Sequence, residues 1–176
     1  MNMMLRSKKS AFSLVELVIV VVIIGVIAAI AVPRISRGAK GAGDSALRGS
    51  LAGLRNAIDM FAAEHGGTFP GYVNATTCDE TLLTNQLTQK SDFSGTVGTG
   101  AGFDFGPYLR RGFPPAPVGP QAGKAAGVLM DAVNSPPAAE DSPTAGKGWV
   151  YNCLTGELVV NTQTTDANGD RYDEKY

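Results

Sequence analysis

The strongest pattern in the chain is an apolar run from Phe12 to Val32, interrupted near its start by one carboxylate, Glu16. The part from Leu14 to Val32 contains 19 residues. At a rise of about 1.5 Å per residue, a helix of that length is about 28 Å long. Since the apolar core of a bilayer is about 30 Å thick, the pattern predicts a membrane-spanning helix over residues 12–32.

A second apolar pattern follows at helical spacing, with steps of four, three, four and three residues. Such a stripe predicts an amphipathic helix whose apolar face packs against a core. We expect it to continue the first helix over residues 33–66 and to end at Gly66-Gly67, because paired glycines stop helices. The stripe consists of Leu47, Leu51, Leu54, Ile58 and Phe61.

Helix-weakening residues separate the two apolar patterns. Pro33 lacks a backbone donor and clashes with the preceding turn, and each glycine costs about 1 kcal/mol relative to alanine inside a helix. The segment from Pro33 to Gly43, with Gly38 and Gly41 between them, is therefore predicted to be a weak point of the helix, which kinks at Pro33 or melts. A helix that is only kinked next to the membrane is the alternative.

From Thr68 the composition shifts to Gly, Pro, Thr and Asn, which is typical of a loop-rich domain. We expect a turn at residues 69–72, a short helix at residues 81–87, and strands at residues 127–133, 148–153 and 157–161. Residues 67–176 then form a globular head. The predicted fold class is α+β: a long amino-terminal helix packed on a small antiparallel β-sheet.

The carboxylate inside the apolar run needs an explanation, because an acidic side chain at mid-bilayer costs about 2.5–3.5 kcal/mol on insertion scales. An ionisable residue within a membrane segment is by default a functional hypothesis with a partner to be named. Glu16 is therefore the first candidate functional residue.

The residues around Glu16 resemble a known signature. Lys8-Lys9, a small residue at Ala11, the sequence FSLVEL from Phe12 onward and the unbroken apolar helix are similar to the leader of type IV pilins and type II secretion pseudopilins. The resemblance implies that residues 1–11 are a leader, that a membrane prepilin peptidase cuts between Ala11 and Phe12, and that the same enzyme methylates the amine of Phe12. Ala11 stands where the family usually has Gly, so we expect equal or slower processing.

The resemblance also implies partners. Glu16 would pair with the terminal amine of a neighbouring subunit, and copies of this chain or related subunits would assemble with help from an ATPase and its membrane platform. The flanking charges do not fix the orientation, because three basic residues lie close to each end of the apolar run. The cysteines and the resemblance favour a single-pass protein of the bacterial inner membrane, with its amino terminus on the cytoplasmic side and its head in the periplasm, assembled into a periplasmic or extracellular filament.

An ordinary secretory signal peptide is the main alternative for this segment. Ala29-Ile30-Ala31 satisfies a small-x-small cleavage site. However, a typical apolar region of such a peptide has about 7–15 residues, and a disposable leader has no reason to keep Glu16. The two readings differ in the mature amino terminus, which is Phe12 in one and Val32 in the other.

The net charge and the cysteine content reduce the number of possible partners and sites. Without the three basic residues of the leader, 12 basic residues remain against 16 acidic ones, a formal net charge of about −4, so we expect no nucleic-acid partner. Cys78 and Cys153 lie in no CxxC pair, which argues against zinc. An even count outside the cytoplasm predicts one disulfide, with two buried free thiols as the alternative.

Catalytic and metal-binding patterns are weak. The single histidine, His65, lies at a helix end and is interpreted as a cap rather than as a ligand. Asp166, Asn168 and Asp170 resemble the start of a calcium loop, but the glycine is misplaced and the position of the bidentate Glu is missing. We therefore predict no metal, no cofactor and no enzymatic activity. Asn74-Ala75-Thr76 matches a glycosylation sequon, a pattern that is common by chance.

The sequence thus predicts a structural subunit of a type IV filament or of a type II secretion machine. The alternative is a minor pilin whose head binds a surface, DNA or a secreted substrate. Whether the chain is a pilin or a pseudopilin stays open at this point.

Overall fold

The computed structural model describes residues 12–140, 146–166 and 168–175. The chain divides into two compact units, one that ends at Ala39 and one that begins at Lys40. The described elements, in chain order, are α1 (Leu14–Glu64), β1 (Tyr72–Asn74), β2 (Thr77–Cys78), α2 (Glu80–Thr88), β3 (Gly127–Met130), β4 (Lys147–Tyr151), β5 (Leu158–Val160) and α3 (Tyr172–Lys175).

The second half of α1 forms the core of the second unit, as its apolar stripe predicts. All five stripe residues are at most 2% exposed, and they pack in one cluster with side chains of α2, the three strands of the larger sheet and the loop that precedes β3. Helical spacing places these residues on one face, which is why a single stripe suffices to cover the sheet.

Helix α1 ends in the glycine pair. Gly66 and Gly67 have φ angles of 66° and 86°, a region in which a residue with a Cβ is strained. The amide of Gly67 donates to the carbonyl of Ala62 at 2.8 Å, which is the six-residue bond of a Schellman motif. The predicted helix stop at this position is confirmed.

The larger sheet has the order β3-β4-β5. Strands β4 and β5 are antiparallel, whereas β3 pairs with β4 in parallel. The α+β class is confirmed, but the sheet is mixed rather than purely antiparallel. More than a dozen residues separate Met130 from Lys147, which is the length that a crossover between parallel strands needs.

Alternation along β4 and β5 divides the apolar residues between the two faces of this sheet. Trp149, Tyr151, Leu158 and Val160 belong to the cluster around α1, while Val150 packs with β5 residue 159 and with residues 129 and 139 on the opposite face. Trp149 is fully buried, and its indole N–H donates to the carbonyl of Pro114 at 2.7 Å. Burial of the indole therefore leaves no polar atom unsatisfied.

Helix α2 begins at a capping residue and is tied to the sheet. The carboxylate of Asp79 accepts from the amide of Leu82 at 2.6 Å, which satisfies one of the free donors of the first turn. Glu80 pairs with Lys147 and accepts from the amide of Val128 at 2.8 Å. The short helix predicted at residues 81–87 is therefore present and is anchored at its start to β3 and β4.

A small hairpin, β1-β2, lies between α1 and α2 and was not predicted from the sequence. Tyr72 pairs with Cys78 and Asn74 with Thr77. The turn predicted at residues 69–72 leads directly into β1. Cys78 at the end of β2 is brought to disulfide distance of Cys153, with a Cα–Cα separation of 5.8 Å, so the hairpin is tied to the segment that follows β4.

Candidate functional site

Glu16 lies in the first turn of α1 and is hydrogen-bonded to the start of its own helix. The backbone amide of Ser13 donates to Oε2 of Glu16 at 2.9 Å, and the carbonyl of Ser13 accepts the first helical bond, from Leu17. Ser13 is thus the N-cap and Glu16 occupies the third helical position, the arrangement of a capping box. The carboxylate accepts a hydrogen bond from an amide that has no partner within the helix. It also lies at the helix end where the dipole favours a negative charge.

This capping pattern, Ser-x-x-Glu, is readable in the sequence, but sequence reasoning used only the charge of Glu16 and overlooked its spacing to Ser13. The spacing matters because it fixes the carboxylate at the end of the apolar helix rather than in its middle. An acidic group at this depth costs less than one at the bilayer centre.

The predicted cleavage point lies just before this cap. Ala11 is outside the described residues, whereas Phe12 is described and is 78% exposed. Cleavage before Phe12 would create an amine one residue away from the amide that already contacts Glu16. The predicted roles of Ala11 and Phe12 in processing stay predictions.

The apolar surface that follows Glu16 has no partner within the described part of the chain. The segment from Leu14 to Val32 has a mean hydropathy of 3.2 and none of it is buried. It is the one described helix long and apolar enough to cross a membrane. An apolar surface of this extent needs a lipid or protein environment that the subunit does not itself supply.

The backbone is helical through the segment from Pro33 to Gly43, because α1 runs without a break from Leu14 to Glu64. A Cβ added at Gly38 or Gly41 would meet no atom within 4 Å, so packing within the described chain does not require glycine there. These glycines lower helix stability without a compensating contact. The kink predicted at Pro33 stays a prediction.

The histidine lies in a buried polar site that resembles a catalytic pair only superficially. His65 is 5% exposed and Ser91 is fully buried. Nδ1 of His65 lies 2.7 Å from the carbonyl oxygen of Phe61, and Nε2 lies 3.0 Å from the hydroxyl of Ser91. In the neutral ring Nδ1–H donates to that carbonyl and Nε2 accepts from the hydroxyl, so the ring caps the last turn of α1.

The carboxylate nearest to Ser91 in sequence does not complete a triad. Asp92 accepts hydrogen bonds from the amide and hydroxyl of Ser94 and from the amide of Thr96, and these bonds, led by that of the Ser94 hydroxyl, lower its pKa. Nδ1 of the histidine is already taken by a carbonyl. The ring of His65 is oriented by a carbonyl and not by a carboxylate, and the serine that it contacts is buried, so this pair differs from the arrangement of a catalytic triad.

The acidic tail forms a turn closed by its own backbone. Oδ1 of Asp166 accepts from the amides of Asn168 and Asp170 at 2.7 and 3.1 Å. Within residues 12–140, 146–166 and 168–175, no group of three or more His, Cys, Asp or Glu side chains is placed to hold a metal ion.

Comparison with known proteins adds one finding. A family model of the prokaryotic N-terminal methylation motif matches residues 6–32, which include Lys8, Lys9, Ala11, Phe12 and Glu16. No curated protein and no solved structure matches the chain. The motif is associated with structural subunits that a prepilin peptidase processes before assembly. The chain therefore carries, at its amino terminus, the signature of the type IV pilins and pseudopilins.

Proposed function

We propose that this protein is a structural subunit of a type IV filament-like assembly, either a pilin or a type II secretion pseudopilin. The observation that carries the proposal is the position of Glu16: a carboxylate held at the start of an otherwise unpartnered apolar helix, within a matched methylation motif.

The proposed mechanism begins in the membrane. Before processing, the basic residues ahead of Phe12 stay on the cytoplasmic side, and the part of α1 from Leu14 to Val32 spans the bilayer. The peptidase cuts after Ala11 and exposes the amine of Phe12, which it methylates. The cut frees a positive charge next to lipid, where an unpaired charge is costly.

Assembly then pairs two charges that are each costly alone. The amine of one subunit meets Glu16 of a neighbour, which offsets the desolvation of both groups. Glu16 leaves its contact with the Ser13 amide or shares it, because a carboxylate has two oxygens that accept several hydrogen bonds. The pairing sets the axial register while the apolar surfaces of neighbouring helices pack in the filament centre.

The head faces the periplasm or the cell exterior in this proposal. It has its own apolar core, built around the second half of α1, and it needs no membrane contact to bury that core. An assembly platform and its ATPase supply the work that extracts the helix from the bilayer.

A pair of substitutions separates the charge of Glu16 from its capping role. Glu16→Gln keeps an acceptor for the Ser13 amide, since Gln also serves in a capping box, but it removes the charge. Glu16→Ala removes both. We expect both variants to insert into the membrane and neither to form filaments, measured by membrane fractionation and by electron microscopy of sheared or extracted fibres.

Normal filaments from Glu16→Gln would overturn the charge-pairing mechanism. Overexpression of the natural chain then distinguishes the two subunit types: long surface fibres indicate a pilin, and short periplasmic assemblies indicate a pseudopilin.

A further inference from the structure

The tip of the hairpin β1-β2 carries a modification motif that the filament function does not use. Asn74-Ala75-Thr76 is the only Asn-x-Ser/Thr triplet in the sequence. A sequence match alone is weak, because the triplet occurs often by chance. In this chain, however, the structure gives the triplet a specific geometry.

Both hydrogen-bond donors of Thr76 contact the side-chain oxygen of Asn74. The amide and the hydroxyl of Thr76 each donate to Oδ1 of Asn74 at 3.0 Å. A backbone amide can only donate, so the atom it contacts is the side-chain oxygen and the other end is the amide nitrogen. Nδ2 of Asn74 makes no hydrogen bond to any residue that the structure describes.

The triplet is also accessible from outside. Every residue from Tyr72 to Thr77 is exposed, and Tyr72 and Val73 remain 40% and 50% exposed although both are apolar. An enzyme that modifies Nδ2 must bind the residues on both sides of Asn74. This segment offers them without unfolding the head.

The need to form a turn explains only one of the two hydrogen bonds between Thr76 and Asn74. No residue other than glycine has a positive φ in the described chain, so Ala75 and Thr76 do not form the tight mirror-image turn of a two-residue hairpin. The bond from the Thr76 amide to Oδ1 replaces it as an Asx turn. An Asx turn needs Asn or Asp at position 74, but it needs neither the free Nδ2 nor a hydroxyl at position 76.

We propose that Asn74 is the acceptor of an N-linked glycan. The donor is a saccharide carried on a polyprenyl diphosphate. Nδ2 attacks the anomeric carbon, a nitrogen–carbon bond forms, and the bond between that carbon and the diphosphate oxygen breaks. The polyprenyl diphosphate leaves with the electron pair, and the proton lost from Nδ2 passes to a basic group of the transferase.

The proposal rests on the extracytoplasmic head of the proposed function, because such transfer occurs after export. The glycan would stand on the hairpin next to Cys78, on a segment tied to the rest of the head through Cys153. It would add a hydrated group where Tyr72 and Val73 are otherwise exposed to water.

The test is mass spectrometry of the full chain recovered from the cells that make it. Reduction and trypsin release the peptide from Asn56 to Lys90, which holds Asn74 and no internal Lys or Arg. We expect this peptide to be heavier than its sequence by a whole number of sugar residues, with fragment ions that place the mass on Asn74. An unmodified peptide, or sugar on another residue, overturns the proposal.

Matched variants separate modification from folding. Asn74→Asp keeps the oxygen that closes the turn and removes Nδ2, so it should lose the glycan and keep the thermal unfolding midpoint of the natural chain produced without the transferase. Thr76→Val removes the hydroxyl and should also lose the glycan, whereas Thr76→Ser should keep it. A glycan on Thr76→Val at the level of the natural chain contradicts the proposed role of the hydroxyl.

One further variant distinguishes this proposal from that of filament assembly. Glu16→Ala should still be exported and should still carry the glycan, because transfer needs export and not polymerisation. Filaments built from a sugar-free chain would leave the assembly proposal standing and overturn only the glycosylation proposal.

Discussion

Ile23 and Ile58 lie on the same helix, yet Ile23 is 53% exposed and Ile58 is fully buried. Within the described residues, the apolar side chains near Ile58 pack in a core, whereas those near Ile23 are exposed. Sequence pattern reflects this difference: the first part of α1 is apolar on all sides, whereas the second part is apolar along one stripe. A helix that is apolar on all sides is stable when lipid or other protein chains surround it, and the isolated subunit provides neither.

The largest expected effect comes from truncating one isoleucine of this pair. Ile58→Ala should lower the free energy of unfolding of the head by about 2–5 kcal/mol, because it leaves a cavity in the core. Ile23→Ala should leave the stability of the head unchanged. Denaturant unfolding of the full chain in detergent, followed by the fluorescence of buried Trp149, measures both.

Equal destabilisation by the two substitutions would contradict the separation of α1 into an intermolecular part and a core part. The same result would mean that the head depends on the membrane segment for its fold.

The second effect concerns the cysteine pair of the head. A bond between Cys78 and Cys153 closes a loop with a sequence separation of 75 residues. The chain-entropy model gives about 4 kcal/mol of stabilisation for a loop of this length, and the measured stabilisation by disulfides is typically about 2–4 kcal/mol. Replacing both cysteines by serine should lower the stability of the head by that amount and leave membrane insertion intact. Thiol labelling of the unfolded natural chain, with no reductant, should find no free cysteine.

A smaller effect is expected from the glycines between the two parts of α1. Gly38→Ala and Gly41→Ala should each favour the helix by about 1 kcal/mol, since a Cβ at either position meets no atom within 4 Å. If this segment gives the filament its extensibility, the double variant should form fibres that stretch less under the same force. Unchanged extension would indicate a helix segment with no role in filament mechanics.

The smallest effect is confined to the head and depends on pH. Asp131 is partly buried, which raises its pKa, but hydrogen bonds from the amide of Ala138, from the side chain and amide of Asn134 and from the amide of Val133 lower it below its ordinary value of 3.8. A lowered folded-state pKa means that Asp131 contributes stability above pH 3.8 that is lost as the pH falls further.

Asp131→Asn should therefore cost about 1 kcal/mol at neutral pH, the net worth of such hydrogen bonds. The cost should vanish in strong acid, where the natural carboxylate is protonated too. Unfolding of both chains across this pH range measures it, and a constant difference at all pH values would contradict the assignment.

Much of the fold follows from local sequence signals. The stripe of α1, the glycine stop, helix α2 and the strands β3, β4 and β5 all lie where apolar periodicity and turn residues place them. Hairpin β1-β2 was not predicted because its strands have only three and two residues. Segments this short do not show a recognisable alternation of apolar and polar residues. The direction of the β3-β4 pair was not predicted either, because the sequence between these strands lacks the apolar pattern of the helix that usually connects a parallel pair.

The candidate site was predictable in its residues but not in its geometry. The charge of Glu16 within an apolar run identifies it as the candidate carboxylate, whereas its bond to the Ser13 amide follows from the spacing of a capping box. The partner that we propose for Glu16 belongs to another molecule, so no pattern within one chain locates it.

The most direct measurement determines which molecule provides the amine that meets Glu16. Filaments are assembled from a mixture of isotopically light and heavy subunits, and a zero-length carbodiimide reagent joins amines to carboxylates in contact. Tryptic peptides from Phe12 to Arg34 then reveal any bond between the amine of Phe12 and Glu16. We expect cross-linked pairs that combine a light and a heavy chain. Bonds within single chains only, or a mature chain that begins at Val32, would contradict the proposed assembly.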